Sequence, residues 1–135
     1  MTAKIILVLV ACLFATISSM EIPSELKEFI DDLHDACIKK SGISDDDHTN
    51  YDIMNKDPNM MEYMKCLMLD SKWMSPSGEI QYDFIEETAH PKIKDILMTA
   101  MNKCRDIPES TSLAEKAYNF NLCMYKADPL NWFFV

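Results

Sequence analysis

The stretch NMMEYMKCLML, Asn59 to Leu69, holds four methionines and one cysteine in eleven positions. Drawn on a helix of about 3.6 residues per turn, Met60, Met61, Tyr63, Met64, Leu67 and Met68 cover more than half of the circumference, with Cys66 at one margin. Glu62 and Lys65, with Leu69 between them, mark the outer side. A surface helix needs a single apolar stripe. This one must be covered on two fronts, so it predicts neighbouring helices on one and leaves plain core or an internal cavity for the other. Methionine is unbranched and polarizable, which suits it either to an irregular core or to a wall that adapts to different apolar guests.

Outward from this helix, the chain reads as helices separated by turn signals. Asp57-Pro58 opens the quoted helix and Pro76-Ser77-Gly78 marks a turn after it. Upstream, Leu26, Phe29, Ile30, Leu33 and Cys37 recur at helical spacing behind Pro23 and Ser24 and predict a helix ending near Gly42. Ser44 before Asp45, Asp46 and Asp47 reads as an N-cap with acids in the first turn, where the helix dipole favours them. An EF-hand reading of the same acids lacks the central glycine and terminal glutamate. Downstream, a short helix over Tyr82 to Ala89 is punctuated by His90-Pro91, and Ile93, Ile96, Leu97, Ala100, Met101 and Cys104 form another stripe closed by Asp106-Ile107-Pro108. Ser112 and Glu115 predict a capping box leading into Leu113, Ala117, Tyr118, Phe120, Cys123 and Met124. With no alternating strand pair and only two glycines in the chain, the pattern predicts an all-α fold of five or six helices.

The N-terminus carries Lys4, an apolar run from Ile5 to Ala15, and small or polar residues through Ser19. The run is shorter than the about 18 residues a membrane span requires, and its order is that of a secretory leader cleaved near Ser18 or Ser19. Residues 1–19 are therefore assigned to the leader and 20–135 to one helical domain, secreted into an extracellular fluid. Of 135 residues, 13 are Lys or Arg and 22 are Asp or Glu; losing the leader removes Lys4 and no acid, leaving 12 basic against 22 acidic and a charge of −10. Such acidity argues against nucleic acid and anionic membranes as partners. Cys12 leaves with the leader, and Cys37, Cys66, Cys104 and Cys123 remain, an even number suited to two disulfides in an oxidising compartment. Three pairings are open. No Cys-x-x-Cys occurs and His34, His48 and His90 are scattered, so neither a metal nor another cofactor is expected.

Disulfides bear on the cavity question. A hollow core costs stability, and a cross-link closing a loop of about 20 to 30 residues returns roughly 3–4 kcal/mol in the chain-entropy model. The tail Trp132-Phe133-Phe134-Val135 is too apolar to dangle in water, and should fold back over a cleft as a lid or as core packing.

The leader, the acidic helical chain and the order Cys37, 28 residues, Cys66, 37 residues, Cys104, 18 residues, Cys123 resemble the insect odorant-binding proteins, the pheromone-binding and general odorant-binding family. That family's usual six-cysteine pattern has three residues between its second and third cysteines and eight between its fifth and sixth, which places the missing two at Glu62 and Ala114. Those two are bonded to each other in the family, so the chain is similar to the four-cysteine "minus-C" subgroup, and the resemblance implies the pairs Cys37–Cys66 and Cys104–Cys123. It also implies about six helices around a hydrophobic cavity that carries odorants, pheromones or similar small apolar molecules without catalysis. Walls expected from the residues are Met64, Met68, Trp73, Met74, Phe84, Leu97, Met101, Tyr118, Leu122 and Phe133. Loss of the bridge predicts a looser pocket between the Met-rich helix and the last one. A homodimer and a chemoreceptor contact stay open as partners. Release on acidification is a family trait, but the spacing of the three histidines shows no switch and reads as that of ordinary surface groups.

Two rival classes remain. Leu33-His34-Asp35-Ala36-Cys37 echoes secreted phospholipases A2, yet the upstream glycine-rich calcium loop is absent and no Gly-x-Ser-x-Gly elbow occurs. A salivary or venom-type ligand scavenger or defence protein would share the scaffold. For amine scavenging it would need a carboxylate in the pocket, for which Glu62 is the nearest suspect, although its place on the helix faces water.

Overall fold

The computed structural model describes residues 21–132 and 135 of the chain. Among these residues there are six helices and no strand: α1 (Ser24–Ser41), α2 (Asp45–Thr49), α3 (Pro58–Asp70), α4 (Tyr82–Thr88), α5 (Pro91–Asn102) and α6 (Leu113–Ala127). The leader assigned to residues 1–19 lies outside them.

The helix ends follow the punctuation in the sequence. Gly42 closes α1 in the left-handed region at φ 74°, donating its N–H to the Ile38 carbonyl. Ser44 and Asp47 form a reciprocal capping box at α2, and Asp57 accepts from the Asn59 and Met60 amides with Pro58 in the first turn of α3. At α6 only half of the expected box forms. Ser112 accepts from the Glu115 amide, while the Glu115 carboxylate turns to Thr111 and Lys56. Helix α5 ends at Asn102, before Cys104, which the helical spacing had included. The turn after α3 brings Met74 and Ile80 into a single antiparallel bridge, with Gly78 at φ 89° tucked under the Leu113 side chain. A β-carbon there would come within 2.8 Å of Leu113 Cδ2, so glycine is required on two counts.

Helix α3 runs between α1 and α6, its two most extensive partners. Met64 and Met68 enter the larger core with Ile85, Met101, Ala117 and Phe120; Met60, Tyr63, Cys66 and Leu67 fill a smaller core against Cys37 and Ile43. The two fronts of the Met-rich helix are therefore both covered. Disulfides Cys37–Cys66 and Cys104–Cys123 tie α1 to α3 and the end of α5 to α6. They close separations of 29 and 19 residues, each contributing about 3–4 kcal/mol in the chain-entropy model. The seam between α3 and α6, where a third bridge is absent, is closed by packing. Ala114, Ala117, Tyr118 and Met64 are all buried there.

Candidate ligand-binding site

Helix α1 does something its sequence did not announce. Of its 18 residues only Cys37 is buried, although Leu26, Phe29, Ile30 and Leu33 make a continuous apolar stripe. Phe29 is 55% exposed. That stripe faces a cavity of about 490 Å³, within the range of sites that enclose small organic molecules.

The other walls are supplied by elements that converge on the end of α3. Leu67 and Met68 come from its last turn, and Trp73 follows in the turn beyond. Phe84 and Ile85 project from α4, and Ile93, Ile96 and Leu97 from one face of α5. Phe120 and Met124 complete the wall from α6, with the Phe120 ring edge-on to Trp73 at 6.5 Å between centroids. Phe29, Phe84 and Ile96 are both lining and exposed, so they form the mouth. The tail returns to close one side: Trp132 and Val135 line the cavity, and Trp132 packs edge-on against Tyr125.

Of the ten side chains expected at the wall, Met68, Trp73, Phe84 and Leu97 line this cavity. Met64, Met74 and Met101 do not; they are fully enclosed by neighbouring side chains in the larger core. Tyr118 is also turned away, because its hydroxyl donates to the Ile53 carbonyl at 3.0 Å. Leu122 is half-buried against the outside of that core, and Phe133 lies outside the described residues. The lining missed by sequence reasoning is chiefly the α1 stripe with Ile93 and Ile96. Its signal was present as helical apolar spacing, but spacing alone does not distinguish a face covered by protein from one left facing a hollow.

A model of the PBP/GOBP family matches residues 19–127. The chain belongs to that family. Solved structures agree on the fold. Apis mellifera odorant binding protein 5 superposes with a TM-score of 0.73 at 20% identity, covering 87% of this chain and 100% of its own. Locusta migratoria odorant binding protein lmigOBP1 gives 0.69 at 20% identity, over 83% of this chain and 87% of its own. The medfly odorant binding protein CcapOBP22/CcapOBP69a gives 0.64 at 17% identity, over 73% and 87%. Membership makes this PBP/GOBP chain a small-ligand carrier and not an enzyme. No helix among the described residues is long and apolar enough to cross a membrane.

Polar groups of this PBP/GOBP member gather at the cavity's edges. Asp70 pairs with Lys40 at 2.6 Å, and Asp128 accepts from Asn131 at 2.7 Å. Those two, and not Glu62, are the carboxylates that border the cavity; Glu62 points outward and pairs with Lys65. Among the described residues one cluster has metal-donor spacing, Cys37, Cys66 and Asp70, but its two sulfurs are bonded to each other. Two histidines are less scattered than their sequence positions indicate. The His34 and His48 rings meet edge-on at 4.5 Å, and both lie against Tyr63. His48 Nε2–H donates to the Val135 backbone oxygen at 2.7 Å, and the Tyr63 hydroxyl donates to the same atom. His34 sits 2.7 Å from the Tyr63 hydroxyl and 3.1 Å from Asp45. Burial holds the His48 imidazole below its ordinary pKa, partly offset by its bond to Val135. The tail is thus tied down by groups on α2 and α3.

Proposed function

We propose that this PBP/GOBP-family chain takes up small, largely apolar molecules in the 490 Å³ cavity between α1, the end of α3, and α4 to α6. The observation that carries this reading is the α1 stripe: Leu26, Phe29 and Ile30 line the cavity outside both cores, and Leu33 lines it from the edge of the smaller core. Exposed to water, such a stripe would cost free energy of about 25 cal/mol per Å² of apolar surface; a guest in the cavity removes that surface from water. Flexible Met68 and Met124 in the wall support a tolerant fit. We further propose that residues 1–19 are a cleaved leader and that the carrier works in sensory lymph or another extracellular fluid, which its acidity and two disulfides suit.

The test is titration of the oxidised protein, residues 20–135, with an apolar phenyl-naphthylamine dye, followed by competition with a panel of volatiles, fatty acids and amines. Dye fluorescence should rise saturably and be displaced by apolar competitors. Absence of saturable binding would end the reading.

A further inference from the structure

The two disulfides sit in different surroundings. Cys37 and Cys66 are both buried, and the Asp70 carboxylate lies 3.9 Å from one sulfur and 3.7 Å from the other, with Lys40 offsetting part of its charge from 2.6 Å. In the second pair Cys104 is fully buried in the larger core, but Cys123 is only half-buried. The polar neighbour of the Cys123 sulfur is neutral, the Lys103 carbonyl oxygen at 3.8 Å, and Lys103 itself is exposed. Among the described residues no carboxylate or imidazole lies within 4.8 Å of both sulfurs of this second bridge.

Thiol–disulfide exchange begins when a thiolate attacks one sulfur of the bond. It needs an uncovered sulfur, and negative charge beside the bond opposes both the incoming and the departing thiolate. The Cys37–Cys66 bridge is therefore guarded twice, by burial and by Asp70. The Cys104–Cys123 bridge is open on one side, at Cys123.

We propose that Cys123 Sγ is a site of modification by small thiols of the glutathione class, and that this bridge, alone of the two, exchanges while the chain stays folded. The thiolate forms a new S–S bond to Cys123 Sγ as the Cys104–Cys123 bond breaks; the electron pair leaves on Cys104 Sγ, which takes a proton from water. A second thiolate displaces the Cys123 sulfur from the adduct, carries off the small-molecule disulfide and leaves both cysteines reduced. Cys104 is desolvated in the core, so its thiolate is a poor leaving group and the first step is slow. The same burial keeps Cys104 beside Cys123, where it attacks the adduct and recloses the bridge once the small thiol is withdrawn. The junction between the end of α5 and α6 is thus sensitive to thiols, while the anchor of α1 on α3 is not.

The experiment incubates the oxidised protein, residues 20–135, with reduced glutathione at pH 8 without denaturant, quenches at intervals with excess N-ethylmaleimide, and maps the cysteines by mass spectrometry. The first adduct should be glutathione on Cys123 with maleimide on Cys104, and the Cys104–Cys123 bridge should be lost at least about tenfold faster than Cys37–Cys66. A first adduct on Cys104, loss of Cys37–Cys66 at an equal or greater rate, or no adduct at all overturns the assignment. Repeating the run with increments of urea below the unfolding transition identifies the state that reacts. A rate that stays flat supports exchange at the folded surface; a rate that climbs with each increment puts the exchange in the unfolded chain and overturns the proposal.

Discussion

Helices α1 and α3 both present continuous apolar stripes, and the protein treats them oppositely. Six of the 13 residues of α3 are buried, against one of the 18 in α1. The reason lies in the neighbours. Helix α3 is flanked by α1 and α6 and fills both cores, whereas α1 is anchored at its far end by Cys37, rests Leu33 and Ile38 on the smaller core, and holds Leu26, Phe29 and Ile30 over a hollow. A stripe buried by protein stabilises the fold; a stripe left facing a cavity is held in reserve for a guest.

Removing the anchor should have the largest effect on this contrast. The double substitution Cys37→Ser with Cys66→Ser should lower unfolding free energy by about 3–4 kcal/mol, read from urea denaturation, and should weaken dye binding by letting α1 drift from α3. Retention of both full stability and full affinity would show that packing alone holds α1. Next, Met64→Ala in the core should cost about 2–5 kcal/mol through the cavity it leaves, with dye affinity little changed in whatever fraction stays folded. On the other stripe, Ile30→Ala should cost under about 1 kcal/mol of stability, as for a half-exposed side chain, yet weaken the dye roughly three- to tenfold through lost apolar contact. If Ile30→Ala destabilises as much as Met64→Ala, the two stripes do not differ as described.

The smallest effect concerns the tail that closes the cavity. Burial lowers the His48 pKa below its ordinary 6.5 in the folded chain, with His34 opposing its protonation and Asp45 favouring it. The unfolded state then binds more protons, so stability is full above about pH 6.5 and declines as pH falls below that value. Urea midpoints at pH 7.5 and pH 5.5 should differ less in His48→Gln than in the wild type. Equal acid losses in the two proteins would remove His48 from the account. Tyr63, which shares the Val135 oxygen with His48, has its phenol pushed upward by burial and stays neutral throughout this window.

Much of the fold was legible because helix ends are local chemistry. Pro23, Ser44, Asp57-Pro58, His90-Pro91 and Ser112 mark starts in the chain, and five of the six described helices begin there in the structure. The failures are where a side chain had a choice of partner. Glu115 turned to Thr111 and Lys56 instead of completing its box, and Cys104 fell beyond the end of α5, where it bonds Cys123. At the site, the reading found Met68, Trp73, Phe84 and Leu97 but also placed Met64, Met74, Met101 and Tyr118 on the wall. Residue type cannot separate these groups: a methionine that fills a core and one that lines a cavity have the same periodicity and the same hydropathy.

By itself the sequence determined most helix starts, the all-α class, the acidic composition and the four sulfurs available for cross-linking, since these depend on near neighbours along the chain or on composition. Only the tertiary structure decided which apolar stripe would be covered and where the cavity lies. Those outcomes depend on how far apart α1, α3 and α6 stand, and that distance is encoded in no single segment.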